Sequence, residues 1–223
     1  MGKIVLVVAA HTDDEALGCG GTIARHVAQG DTVYAVFLAD GVTSRPDASP
    51  EELAERNEAA TKAHQILGIK KSYMVGFPDN RMDSLPLLDV VQKLEAVLAK
   101  INPSIVYTHN HTDLNIDHRI THQAVMTACR PVPGASVKEI YAFEVLSATE
   151  WNTPTGGGFI ANLFVDISEH LGTKSRALEA YAFEMRKTPH SRSIENAKRL
   201  AMFRGNCVGV EAAEAFNVVR ILT

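Results

Sequence analysis

Within five residues near the start of the chain stand one imidazole and three carboxyl groups, His11, Asp13, Asp14 and Glu15. Like charges at contact distance raise one another's pKa unless a cation or a proton lies between them, so the cluster as a whole calls for a bound metal. A lone acidic residue in the same place would read as a helix cap. A second polar stretch follows later: His109, His111, Asp113, Asn115, Asp117, His118 and His122 fall within fourteen residues and include four of the nine histidines. His118 and His122 are spaced i, i+4 and are expected to share a helix face, as paired ligands do. Two histidines and a carboxylate around an open coordination position make a hydrolytic metal site, zinc foremost, that acidifies a water towards pH 7. The first stretch offers one His and two Asp, and the second offers the further His. Whichever of Asp13 and Asp14 does not bind metal is the natural base for the water. Spacing alone does not choose between them.

Both stretches need strands to deliver them. The β-branched, apolar run Ile4 to Val8 ends within three residues at His11, which is the pattern of a buried strand with polar groups at its carboxyl end. A helix from near Glu15 to Gly30 and a strand over 31–40 complete a βαβ unit, which makes the sheet parallel. Further strands are expected over 72–77, 104–108, 139–143, 162–166 and at the tail FNVVRIL, and helices over 51–67, 84–101, 167–185 and 193–204. The stretch SATEWNTPTGGGF reads as a mobile lid or an intersubunit contact, and a homo-oligomer is allowed for. The expected architecture is α/β, a Rossmann-like, mostly parallel sheet flanked by helices. Its sites lie at the carboxyl ends of the strands, where the ends of the first and fourth meet at a topological switch point. Gly18, Gly20 and Gly21 do not match GxGxxG, and HTDDE fills the turn where a pyrophosphate would sit, which disfavours a dinucleotide enzyme. Close helix packing is the reading for these small residues.

Composition narrows the field. A length of 223 residues with 46% hydrophobic content fits one α/β domain over residues 1–223. A formal net charge of −4 gives no basic face for nucleic acid and favours a small-molecule partner. The apolar start is too short for a membrane span and lacks a signal-peptide layout. Cys19, Cys129 and Cys207 are widely spaced and form no CxxC pair, so a reducing cytoplasm is the expected location. Ser44, Arg45 and Arg81 stand in edge loops where they could meet a phosphate.

The motif A-H-x-D-D-E after a strand, the later Asp117-His118 pair and the tail RGNCVGVEAAEAF resemble those of the LmbE-like, or PIG-L, zinc-dependent deacetylases, over nearly the full chain. The Arg56-x-Glu58 helix and Pro78-Asp79 occur in the expected order. The resemblance implies an amide hydrolase that removes N-acetyl groups from amino-sugar-containing small molecules or glycoconjugates. It implies Zn2+ or another divalent metal on His11, Asp14 and His118, Asp13 as general base, and substrate contacts from Arg56 and Asp79. Glu15 is expected to begin the helix or to brace a ligand histidine. Thr12 stands where the family usually has Pro, and Asn115 where it often has an oxyanion-stabilising His. Asn115 is therefore the expected second catalytic residue, able to donate a hydrogen bond but not to supply a proton, with a neighbouring histidine as the alternative group that polarises the carbonyl alongside the metal. The competing readings are an amidase or esterase acting on another N-acylated metabolite, and a non-catalytic carbohydrate-binding relative.

Overall fold

The computed structural model describes residues 2–153 and 157–223. Its elements in chain order are β1 (Ile4–Ala9), α1 (Asp14–Ala28), β2 (Thr32–Ala39), α2 (Pro50–Leu67), β3 (Lys71–Phe77), α3 (Leu87–Ile101), β4 (Ile105–His109), α4 (Ile116–Ala128), β5 (Glu139–Phe143), β6 (Leu163–Asp166), α5 (Leu171–Ala180), α6 (Ile194–Asn206) and β7 (Ala213–Ile221). The strands form one seven-stranded sheet in the order β3-β2-β1-β4-β5-β7-β6. β1 to β5 are mutually parallel, and β7 runs antiparallel between β5 and β6. The expected α/β architecture with a mostly parallel sheet is the one observed. The chain winds outward from β1 to β3, then returns to place β4 on the other side of β1, with Val8 opposite Thr108. That reversal opens the crevice in which α/β sheets carry their sites.

Side-chain alternation along β1 divides the core. Val5, Val7 and Ala9 face Leu17 and Ile23 of α1, Ala60 and Leu67 of α2 and Leu178 of α5. Leu6 and Val8 face Val90, Val91 and Leu94 of α3 and Ala124 and Val125 of α4. Covered on both faces, β1 is apolar throughout rather than alternating. The small residues of α1 serve close packing: a Cβ on Gly21 would lie 2.6 Å from Cδ1 of Ile167, and Gly18 lies against the ring of Phe143. Among the described residues, no helix is long and apolar enough to cross a membrane.

Two expected helices are altered. The segment 84–101 begins as a 3-10 turn at Met82–Ser84, and its α-helix starts after Pro86, whose ring cannot sit inside a helix. The segment 167–185 divides into a 3-10 turn at Ser168–His170 and α5, which stops at Ala180. Stopping there turns Tyr181 and Glu184 towards the sheet edge, where Tyr181 donates to Glu15 and Glu184 accepts from Arg56. Residues 154–156 of the Gly-rich excursion lie outside the described residues.

One buried ion pair repairs a break in α1. Cys19 has non-helical torsions, φ −146° and ψ 23°. The amide of Gly21, whose helical acceptor would be Leu17 O, donates instead to Glu214 Oε1 at 2.9 Å, and Thr22 N donates to Oε2 at 2.7 Å. The freed Leu17 carbonyl accepts from Lys174 Nζ at 2.7 Å, and Lys174 also donates to Glu214 Oε1 at 2.6 Å. The pair thus replaces both halves of a missing helix rung. Lys174→Met leaves Glu214 buried without its cation and is expected to cost about 3–5 kcal/mol, read from urea unfolding.

Candidate metal centre

The loop after β1 and the loop after β4 meet across the switch point. Asp14 begins α1 and is fully buried, with Oδ2 accepting the backbone amide of His11 at 2.9 Å. The same oxygen lies 3.3 Å from His11 Nδ1, 3.4 Å from His118 Nε2 and 3.4 Å from His109 Nε2. His118, on the first turn of α4, directs its other nitrogen, Nδ1, to Asp113 Oδ2 at 2.9 Å. His11 Nε2 lies 3.1 Å from Asp117 Oδ2 and 3.0 Å from Asp79 Oδ1, two acceptors that assign the ring proton to that nitrogen. Asp117 is itself fixed by the backbone amides of Asn80 and Met82, at 2.7 and 3.0 Å.

The donor set fits a divalent metal. Asp14 Oδ1 and His118 Nε2 are buried without a hydrogen-bond partner, a cost that a cation would relieve. His11, Asp14 and His118 offer three donor atoms within 4.8 Å of one another. The separations of Asp14 Oδ2 from the two imidazole nitrogens match the spacing of about 3.3 Å between ligands that lie about 2.0–2.1 Å from a tetrahedral zinc. Two nitrogens and one carboxylate leave the fourth position open. Both imidazoles are backed by carboxylates, which fix the tautomer and orient the ring. His109 is engaged differently: its Nε2 accepts the amide of Ala10 at 2.8 Å and its ring stacks on His118 at 3.8 Å between centroids, while its Nδ1, buried without a hydrogen-bond partner, lies close enough to donors of Asp113 and His118 for those three to form a second metal-sized set. Burial, followed by the charge of His118, pushes His109 down to about 4, so it is neutral.

The electrostatics of the protein alone reflect the crowding. Burial disfavours charge on His11 and His118, yet the surrounding carboxylates outweigh it and raise both above the usual imidazole value. Burial acts on Asp14 in the opposite sense to the imidazolium charge of His118, which wins and holds it well below the carboxylate range. Metal binding must displace those imidazole protons, so affinity rises with pH.

Asp13 sits beside this centre in a left-handed conformation, φ 108° and ψ −29°. For a residue with a Cβ, that costs on the order of 1–3 kcal/mol and persists only when neighbours hold it. Glu15 does so: its Oε2 accepts Asp13 N at 2.9 Å while Tyr181 OH donates to its Oε1 at 2.7 Å. Glu15 therefore lies in the first turn of α1, one residue after its start, and braces Asp13, and the histidine near it is His64, at 3.5 Å. Burial raises the Asp13 carboxyl to about 6, with Arg192 and Arg56 opposing the rise.

His11, Asp13, Arg56, Asp79, Asn115 and Arg192 help to line a cavity of about 240 Å³. Asn115 caps α4, its Oδ1 accepting Asp117 N at 2.8 Å, and its Nδ2 donates to Asn80 Oδ1 at 3.1 Å. Arg56 is more committed than a free substrate contact: it donates to Thr12 Oγ1 at 2.9 Å, to Thr12 O and to Glu184. Asp79 accepts from the Ser44 hydroxyl as well as facing His11. Ser44 and Arg45 also line the cavity, whereas Arg81 is exposed at a 3-10 turn.

Several expectations change. The face shared by His118 and His122 does not form a ligand pair, because His122 Nδ1 is bonded to His109 O at 2.9 Å and its ring lies beside His111. Asp113, Asp117, Glu184 and Arg192 also belong to the site, without a role expected of them from the sequence. Asp113 and Asp117 were visible as members of the second polar stretch, while Glu184 and Arg192 stood in segments read as helix and loop. Asp113→Ala is expected to weaken zinc affinity about 10- to 100-fold in calorimetric titration, His118→Ala to abolish uptake, and His122→Ala to leave it unchanged.

The sequence profile of the GlcNAc-PI de-N-acetylase (PIG-L) family matches residues 6–129, more than half of the 223. The uncharacterized deacetylase YaiS of Escherichia coli is 33% identical over 136 residues, covering 59% of this chain and 70% of YaiS. Diacetylchitobiose deacetylase of Thermococcus kodakarensis is 27% identical over 225 residues, covering 97% of this chain and 83% of that protein. In structure, GalB, the 4-carboxy-2-hydroxymuconate hydratase of Pseudomonas putida KT2440, superposes with a TM-score of 0.79 at 23% identity, over 99% of this chain and 98% of its own. That likeness concerns the fold alone, which hosts more than one chemistry. By the family profile, the chain belongs to the PIG-L family of deacetylases, which are amide hydrolases.

Proposed function

We propose that the chain is a zinc-dependent hydrolase that removes the N-acetyl group from an amino-sugar-containing small molecule. The observation that carries this reading is the adjacency of two groups. A three-donor metal set lies next to a carboxylate, Asp13, whose buried Oδ1 has no hydrogen-bond partner. His11, Asp14 and His118 hold the metal, which when bound supplies Lewis acidity and an acidified water.

The chain's own groups then divide the work. Asp13 takes the proton of the water that attacks the acyl carbon and returns it to the amine nitrogen as the C–N bond breaks. A carboxyl raised to about 6 is ionised at neutral pH yet basic enough for that task. Asn115 Nδ2, already directed by Asn80, donates to the acyl oxygen as negative charge develops there. Arg56 and Asp79 contact the sugar. The cavity wall is almost wholly polar, which suits a polyhydroxylated ligand better than an apolar one.

A screen of N-acetylated sugars, free and nucleotide-linked, with zinc-loaded protein tests the reading through release of acetate and amine. Absence of turnover across the screen overturns it. Asp13→Asn is expected to keep its zinc and lose activity by 10²-fold or more, about the lower bound for a general base. For Asn115, serine is the informative replacement because it preserves the helix cap and removes the amide donor. Asn115→Ser is expected to lower kcat by about 3 kcal/mol of transition-state stabilisation at unchanged melting temperature, and an unaltered kcat removes Asn115 from the mechanism.

A further inference from the structure

We infer that Arg192 is a positioning residue for the reaction, clamping one oxygen of Asp13 so that the other alone is presented to the cavity. The inference rests on the reading of Asp13 as the base. Arg192 belongs to the loop between α5 and α6, far in sequence from the metal-binding stretches. Its Nη1 donates to Asp13 Oδ2 at 2.8 Å, and its Nε donates to Ser147 Oγ at 2.9 Å. Two bonds from one planar guanidinium fix its plane as well as its position, which a lysine ammonium would not do.

The two oxygens of Asp13 consequently differ. Oδ2 is occupied by Arg192, whereas Oδ1 has no hydrogen-bond partner and lies 3.6 Å from Arg56 Nη2. A carboxylate free to rotate would exchange these oxygens. Clamped at one oxygen by Arg192 and braced at its backbone amide by Glu15, this one does not. Arg192 also lines the cavity itself. The remaining cations near the base are spoken for: Arg56 donates to Thr12 and Glu184, and Arg45 donates to Glu184. Arg192 is thus the one described arginine that makes a hydrogen bond to Asp13.

Ala and Gln replacements of Arg192 in the full-length, zinc-loaded protein test this with a substrate found in the screen. Arg192→Ala is expected to lower kcat about 100-fold, the scale of a misplacement of about 1 Å in a reacting group. KM should stay within about threefold and zinc content should be unchanged, because the substitution moves the base and not the ligands. Added guanidinium ion should restore at least a tenth of the lost rate, which a merely structural role would not permit. An unchanged kcat overturns the inference, and so does a loss carried by KM or by zinc content, or one that guanidinium does not restore. If Arg192→Ala does not fold, Arg192→Gln keeps the side-chain stem, and its kcat-against-KM split decides in the same way. Asp13→Asn separates the two layers. Were it fully active, the base assignment would fail; were it inactive while the Arg192 variants kept the parental kcat, only the clamp would fail.

Discussion

Three imidazoles crowd around one buried carboxylate. Asp14 Oδ2 lies within 3.4 Å of nitrogens of His11, His109 and His118, and every one of these residues is at most 7% exposed. Such a group costs several kcal/mol to bury unless its charge is compensated and its remaining polar atoms are paired. The fold meets this requirement in layers. Asp113 takes the outer nitrogen of His118, Asp117 and Asp79 share that of His11, and the amide of Ala10 donates to the His109 nitrogen that faces Asp14. Among the atoms that stay unpaired, His118 Nε2 and Asp14 Oδ1 point to where a cation belongs.

The base is built by a different principle. Asp13 occupies a strained elbow between β1 and α1, and the strain is held by Glu15 two residues on and by groups from distant parts of the chain: Tyr181 behind Glu15, Arg192 in front and Arg56 alongside. Thr12 takes part where the family usually carries proline, because its hydroxyl accepts from Arg56 Nε. A proline there would leave the carbonyl contact but no hydroxyl, so the guanidinium would lose one of its anchors. Threonine at this position therefore adds a link between α2 and the metal-binding turn. Asn115 is likewise tied into the helix cap and to Asn80, which restricts its amide to one direction.

Local pattern and tertiary placement contributed in different measure. The apolar run ending in His11 announced β1, and the second polar stretch announced the end of β4, because side chains that must be buried on both faces leave little choice of residue type. Spacing went no further than a choice between Asp13 and Asp14, and the ligand set came from the family resemblance. After Ile167 the helical periodicity runs on past Ala180, whereas α5 stops there because Tyr181 and Glu184 turn inward.

By itself, the sequence determined the α/β class, the two polar stretches and the metal chemistry they favour, because residue type and local period are local properties. Only the tertiary structure decided how each histidine of the second stretch is engaged. His109, His118 and His122 are alike in sequence, but one accepts the amide of Ala10, one faces Asp14 and one is bonded to a carbonyl. It also decided that Arg192 and Glu184 belong to the site. Their partners lie 179 and 128 residues away along the chain, and contacts that remote are set by how the sheet closes rather than by any pattern around the residue.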